Sequence, residues 1–368
     1  MQYLKLGPIR IPYVIAFQNK KKVIRIAGIP IAFSSYVEGT KKYYRVGCLQ
    51  FRLPFLNKQL DRQRRSSYEL HYRLSEKELQ QLAVNNFREK MGYTPDLQSP
   101  RTMNEKILWL KLFYKNPLVT TCCDKLRVKD YVTEKLGPGY VIPTIACWER
   151  AEDVDFSRLP EKYVLKVNWS SGYNILVADR HTADEASMRE RIACWMRPEQ
   201  NCYYQTLNWG YKDMRPAVYA EEYIQQGNGQ LYDYKIFCCS GKARFWFIAT
   251  NRHGDQRLTH DFYDMDFRRL PFTYGNLAHS QQPLEKPARF EEMVRIAEKL
   301  AEPFPFVRVD FYETEDRLFV GEMTFYPGSG IYTFDPPEWD SILGDYIQLF
   351  DQQETKGEQY EFKTLECR

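Results

Sequence analysis

The 368-residue chain is 43% hydrophobic, 27% charged and 15% aromatic, with a net charge of +4. A chain of this length supplies two or three domains with buried cores, and its balance excludes a disordered, fibrous or coiled-coil protein. Nine cysteines without a C-x-x-C, four of them in the adjacent pairs Cys122-Cys123 and Cys238-Cys239, argue against a disulfide framework or zinc ribbon and for a reducing cytoplasm. No apolar run reaches the ~18 residues of a membrane span, and the start lacks the signal-peptide order of charged head, apolar middle and small-residue cleavage site.

The charge is unevenly placed. Residues 1–65 hold fourteen Lys or Arg against Glu38 and Asp61, an excess of +12 that leaves −8 for the rest. Within this arm Tyr3-Leu-Lys-Leu-Gly7, Val23-Ile-Arg-Ile-Ala-Gly28 and Tyr43-Tyr-Arg-Val-Gly47 each precede another alternating segment, which predicts a short β-repeat turning at glycine. The alternation favours an accessory sheet or oligomer contact over a nucleic-acid surface. The charge suits a polyanionic partner or an anionic membrane surface.

Residues 60–66 read as a linker, and helices follow. Ser75 with Glu78 and Thr102 with Glu105 are capping-box signatures ahead of helically spaced apolar residues. Asp124 caps a third predicted helix that stops at Gly137-Pro138.

From Tyr163 the period changes to that of strands. Tyr163–Val167 and Ile175–Ala178 flank the small-residue loop 168–174, which could lay backbone N–H groups over phosphates. Lys166 points across the first strand among valines and needs an anion. Residues 181–215 are mixed. Strands are then expected at 217–224, 231–239 and 243–250, with Gly227-Asn228-Gly229 and Ser240-Gly241 as turns. An amphipathic helix, 290–300, leads into a hairpin over 304–330.

In that hairpin, facing Tyr312 with Leu318 pairs Val307 with Met323, Val309 with Gly321 and Phe311 with Phe319, leaving Arg308, Asp310, Glu322 and Thr324 on the opposite face. Two carboxylates, a hydroxyl and an arginine on one wall suit a hard dication such as Mg2+ beside phosphates. The alternative is a solvated face on which Arg308 pairs with Glu322. The glycines of Pro327-Gly328-Ser329-Gly330 would let backbone approach a ligand. Residues 351–368 read as a polar tail.

Five of these motifs, in this order, resemble the ATP-grasp enzymes, specifically the TupA-like branch associated with bacterial surface-polysaccharide and teichuronopeptide synthesis. They are Asp124-Lys125, Lys166 before the Ser-Gly loop, Ala220-Glu221-Glu222-Tyr223-Ile224, Asp233-Tyr234-Lys235, and Arg308-Val-Asp310 followed by Gly321-Glu322-Met-Thr324. The resemblance covers residues 66–350 and implies an α+β fold in which two lobes clamp ATP. The division it implies is a basic β-repeat extension (1–65), a helical segment (66–120), a lobe with the phosphate loop (121–215), a lobe with the Mg2+ site (216–350) and a tail (351–368).

The roles it implies are specific. Lys125 and Lys166 would contact phosphates, with Ser170, Ser171 and Gly172 in the closing loop. Glu221, Glu222, Tyr223 and Ile224 would meet adenine and ribose, Glu222 being favoured for the ribose. Lys235 would touch phosphate and Arg308 the reacting acyl group, while Asp310, Glu322 and Thr324 would hold Mg2+. The implied reaction is ATP-dependent joining of a carboxylate-bearing saccharide or peptide to an amine or amino acid, with no nucleic acid. Two positions depart from the pattern. Thr324 stands where most ATP-grasp enzymes have Asn, and Asn168-Trp169-Ser170-Ser171-Gly172 replaces the branch's usual Asn-His-Gly-Ser-Gly. Competing readings are a glycosyltransferase using Asp264-Met265-Asp266, and a catalytically dead binding module working through the basic arm. The histidines show no metal spacing, and His253 and His260 read as surface or loop residues.

Overall fold

A computed structural model of the chain describes residues 61–224, 232–248, 259–275, 279–280 and 285–349 with their side chains, and the backbone of 249–250 and of the regular elements between 2 and 60. The turn at 227–229, His253 and the tail 351–368 lie outside the described residues.

Strands β1 (Gln2–Leu6), β2 (Ile9–Gln18), β3 (Lys21–Ile26) and β4 (Ile29–Ile31) pair antiparallel in sequence order, as do β5 (Ser34–Glu38), β6 (Lys41–Val46) and β7 (Leu49–Arg52). Helix α1 (Pro54–His71) then runs through the expected linker. Proline at the first helical position and no glycine or further proline before Gly92 let the helix continue. Its end is held to the body, where Arg64 donates to the Gln200 side chain and Tyr68 packs edge-on against Tyr204 at 4.6 Å.

Helices α2 (Glu76–Met91) and α3 (Met103–Phe113) start at the two capping boxes, and Gly92, at φ 82°, ends α2. Buried Glu105 also accepts the backbone N–H groups of Asp96 (3.0 Å) and Arg101 (2.9 Å), pinning the loop before α3. Helix α4 (Pro117–Cys123) is followed by a turn in which Asp124 accepts from the N–H groups of Leu126 and Arg127, and α5 (Val128–Leu136) starts only after it.

The body holds two larger antiparallel sheets. The four-stranded one has the order β10-β9-β11-β8, from β8 (Thr144–Trp148), β9 (Tyr163–Val167), β10 (Asn174–Val177) and β11 (Val218–Glu222). Helices α6 (Glu185–Trp195) and α7 (Tyr203–Thr206) lie between β10 and β11 in the chain. The five-stranded sheet takes β12 (Asp233–Cys239), β13 (Lys242–Thr250) and β14 (Thr259–Asp264), then β16 (Phe306–Glu313) and β17 (Leu318–Thr324), in the order β14-β13-β12-β16-β17. The small pair β15 (Thr273–Tyr274) and β18 (Phe334–Asp335) and helices α8 (Phe290–Ala301) and α9 (Trp339–Gly344) complete it. Strand β12 is buried along its whole length, and α8 covers this sheet with Met293, Ile296, Ala297 and Leu300, its 3.6-period face. Ser240 and Gly241, at φ 51° and 75°, form the tight β12–β13 turn that strand twist favours.

The β16–β17 register differs from the expected one. Arg308 faces Thr324, Val309 faces Met323 and Asp310 faces Glu322, whereas Phe311 faces Val320 and Glu313 faces Leu318. Gly321 is the extra residue, a bulge. A Cβ there would stand 2.6 Å from the Tyr312 ring, so only glycine fits without moving that ring. The alternation alone carried no sign of this, because the two-residue displacement below the bulge keeps the same polar face. The Pro327–Gly330 turn is also packed rather than open. Gly330 lies against Asn104 and Ile107 of α3, and Gly328 against the Tyr332 ring. His260 is a buried strand residue packed on Phe247 at 4.8 Å, not a loop residue.

Candidate functional site: a cation and carboxylate wall shared by two sheets

Strands β12, β16 and β17 bring Lys235, Arg308, Asp310, Glu322 and Thr324 onto one wall. Asp310, 1% exposed, accepts from Arg308 Nε (2.6 Å) and Nη2 (2.7 Å) and from the Lys235 ammonium, which also pairs with Asp233 at 2.7 Å. Arg308 Nη2 further donates to Thr324 Oγ1 at 3.0 Å and lies 3.4 Å from Glu322 Oε1. The planar fork explains why arginine stands here, since it meets both carboxylate oxygens at once. Burial works against the Arg308 charge, but Asp310 outweighs it and holds the guanidinium protonated. Burial lifts the Asp310 carboxyl to about 6 despite its two cations. Lys125, 2.9 Å from Glu322 Oε2, keeps that carboxyl well below the usual range.

A second cluster stands on the other sheet. Glu221 of β11, 2% exposed, receives the Lys166 ammonium from the neighbouring β9 and Lys129 Nζ at 3.0 Å. Burial opposes its ionisation, but Lys166 and then Lys129 outweigh that and lower its pKa. Lys129 also donates to Ile142 O (2.8 Å) and Thr144 Oγ1 (2.9 Å), and it lies 5.1 Å from the centre of the Tyr219 ring.

Residues 124–129 join the two clusters. Asp124 accepts from the Asn168 amide at 2.8 Å, Asn168 Oδ1 accepts from the N–H of Ala217 at 2.9 Å, and the Lys125 N–H donates to Asn168 O at 3.2 Å. Four residues apart, Lys125 reaches the β17 carboxylate and Lys129 the β11 carboxylate. With Asp124, five cations and five carboxylates therefore share the region, and their formal charges balance.

The other expected residues behave differently. Glu222 is exposed, and only its backbone is engaged, its N–H donating to Pro143 O at 3.1 Å. Tyr223 and Ile224 are half-buried beyond the end of β11. In the loop, Trp169 is buried with its indole N–H on Trp195 O (3.0 Å), and Ser170 donates to Gln200 O (3.1 Å). Ser171 and Gly172, the latter at φ 79°, form an exposed tip. The bulk of Trp169 therefore goes into the core and leaves the tip small.

Sequence reasoning missed Lys129, which lies on a helix face whose apolar neighbours read as core. Its spacing of four from Lys125 was the available signal. The Asp264-Met265-Asp266 stretch is a surface turn in which Asp264 accepts from the Asp266 and Arg268 N–H groups at 3.0 and 2.8 Å. Phe245, Trp246, Phe247, Phe262 and Tyr263 are core.

No curated protein is significantly similar to the chain. Among solved structures it resembles a D-alanine–D-alanine ligase from Bacillus anthracis (18% identity, TM-score 0.38, covering 61% of this chain and 64% of that one). It also resembles N5-carboxyaminoimidazole synthase from Aspergillus clavatus in complex with ADP and 5-aminoimidazole ribonucleotide (12%, TM-score 0.33, 59% and 46%). A third is D-alanine–D-alanine ligase from Helicobacter pylori (14%, TM-score 0.32, 62% and 61%). The chain thus spans less than two thirds of each of these proteins. The class is that of an α+β protein of the ATP-grasp fold. Within it the chain belongs to the TupA-like ATP-grasp family, which matches residues 105–348.

Asp310, Glu322 and Thr324 offer oxygen donors only, the set a hard dication takes when phosphates supply the remainder. Among the described residues no three His, Cys, Asp or Glu group as metal ligands, so protein atoms alone do not complete a shell. The residues fit a Mg2+ that arrives with a polyphosphate. In this structure Asp310 holds Arg308 and Lys235, and Glu322 holds Lys125.

Proposed function

We propose that the protein is an ATP-dependent carboxylate–amine ligase working through an acyl phosphate, and that its acceptor is a carboxylate-bearing saccharide or peptide of a bacterial surface polymer. The observation that supports this most is the set of five cations from separate elements, four of them poised on buried carboxylates and Lys125 on the half-buried Glu322. Such a set can share its cations between carboxylates and incoming phosphates, so that neither is left as an unpaired buried charge. Lys125, Lys129, Lys166 and Lys235 would bind the phosphates. Mg2+, held by Asp310, Glu322 and Thr324, would neutralise charge at the transferred phosphoryl group. Glu221 would share Lys166 and Lys129 with the arriving phosphates.

In the reaction the acceptor carboxylate oxygen attacks the γ-phosphorus, the bond to ADP breaks, and an acyl phosphate forms. The amine then attacks the carbonyl, phosphate leaves, and the amine gives up a proton. Arg308, aimed along the wall, steadies the developing oxyanion. The Ser171-Gly172 tip, anchored by Trp169 and Ser170, would close and keep water from the acyl phosphate. Among the described residues no helix is long and apolar enough to cross a membrane. The basic arm would bring the enzyme to anionic acceptor or anionic lipid.

The test combines thermal protection by Mg-ATP with product analysis. Enzyme, Mg-ATP and a uronate oligosaccharide with hydroxylamine should give a hydroxamate and ADP. AMP and pyrophosphate, or a glycosidic bond formed from a nucleotide sugar, would overturn the reading.

A further inference from the structure

We propose that the cavity between the α1–α2 corner and the segment 203–213 binds an organic anion that carries a carboxylate beside a ring with one face able to lie on an aromatic side chain. This rests on the ligase reading only in making that anion the acceptor. The cavity, about 380 Å3, has room for one or two rings. Its lining combines Lys111, Lys115 and Lys212 with Tyr203, Tyr204 and Trp209, and its acidic members are Glu76 and Asp213.

Three observations point to an anion. Lys111 is 5% exposed and gives all its ammonium protons to neutral acceptors: Thr206 O (3.0 Å), Ser329 O (3.1 Å) and Ser329 Oγ (3.2 Å). Its charge is hydrogen-bonded but not neutralised, the condition in which a buried cation gains most from an anionic ligand. Burial alone pulls its pKa down to about 7, with no carboxylate acting the other way. Lys115 spends its charge on the Trp209 face, 5.5 Å from the ring centre, and on Lys111 O at 3.5 Å. Among the described residues neither Glu76 nor Asp213, both exposed, forms an ion pair with Lys111 or Lys115, although Glu76 favours the Lys115 charge from a greater distance.

The ring follows from the aromatic side. Tyr204 sits among Tyr68, Tyr72 and Tyr203, with the Tyr72 ring stacked on it at 6.3 Å, so its ring is held in place as a platform. Trp209 is half-buried and already carries one cation. Lys111 ties the cavity to the reactive wall, because Ser329 belongs to the turn that follows β17. The Phe245–Phe247 and Phe262–Phe267 stretches offer no comparable surface, since their rings are mostly core.

A uronate sugar and an aryl carboxylate share this chemistry, so both are probed on the full-length protein by calorimetry. The ligands are digalacturonate, 4-hydroxybenzoate, and the neutral disaccharide lactose. Wild type should bind one of the two anions and not lactose. The double variant Lys115→Gln with Lys212→Gln should weaken that binding at least tenfold, and Trp209→Leu at least fivefold, while the thermal shift from Mg-ATP is unchanged. Affinity should also fall at least tenfold from pH 6 to pH 8, as Lys111, at about 7, and then Lys115, at about 8, lose their protons. The other groups facing it are His71, Lys115, Lys212, Glu76 and Asp213. Whichever anion binds identifies the source. Equal affinity for lactose, or undiminished anion affinity in the variants, overturns the inference. Cavity binding without ADP formation would sink the ligase reading alone. Anion-stimulated ADP formation that the variants leave untouched would sink the cavity alone.

Discussion

Glu221→Gln separates structure from ligand binding at a single position. The carboxylate is 3% exposed and serves two lysines whose side chains are 14% and 19% exposed. Removing one partner of a buried ion pair costs about 3–5 kcal/mol, because the other charge is left uncompensated. Glutamine keeps the volume and one acceptor, and both lysines retain some contact with water. The expected loss is therefore near the lower limit, about 3 kcal/mol. In a chain of this size that lowers Tm by roughly 4 °C. Glu222→Gln, one residue along and exposed, should change stability by less than about 0.5 kcal/mol. The two variants are compared by urea and thermal unfolding without nucleotide, then with Mg-ATP. Freed of Glu221, Lys166 and Lys129 face incoming phosphates without a competitor, so the increment in Tm from Mg-ATP should be larger in Glu221→Gln than in wild type. If Glu221→Gln unfolds like Glu222→Gln, the pair is not structural. If its nucleotide increment is no larger, Glu221 does not share its lysines with phosphate.

Other outcomes follow from the same geometry. Glu322→Gln should depress ADP formation by roughly 100-fold or more while the circular dichroism spectrum stays native; near-normal turnover would remove β17 from the metal site. Because Lys125 holds the folded pKa of Glu322 below its unfolded value, Glu322 adds stability above about pH 4.5 that is lost as pH falls through the folded value. The stability gap between wild type and Glu322→Gln, followed by urea unfolding, should therefore be flat above pH 5 and narrow below 4.5; a gap that widens in acid would show the reverse sign. Gly344→Ala should cost about 2–3 kcal/mol, since a Cβ there collides with Arg101 O and stands 2.8 Å from Met103 N. An unchanged Tm would mean that α9 does not press on the start of α3.

Much of this was legible in the sequence where periodicity and short-range chemistry decide the outcome. The capping boxes at Ser75 and Thr102, the Ser240-Gly241 turn and the polar face of Arg308, Asp310, Glu322 and Thr324 depend on neighbours a few residues away. The bulge at Gly321 was not legible, since it depends on the Tyr312 ring across the ladder. Nor was α1, whose charged residues read as a linker until packing on residues 199–204 gave them partners. Glu221 and Glu222 look alike in sequence, and only the strand's orientation buries one and exposes the other. Lys129 became meaningful once β11 stood opposite it.

The backbone hydrogen bond from the Lys125 N–H to Asn168 O links two parts of the site that are distant in sequence. Asn168 opens the loop that ends in the Ser171-Gly172 tip, and Lys125 carries the ammonium resting on Glu322. One residue therefore joins the root of the loop, through its backbone, to the β17 carboxylate, through its side chain.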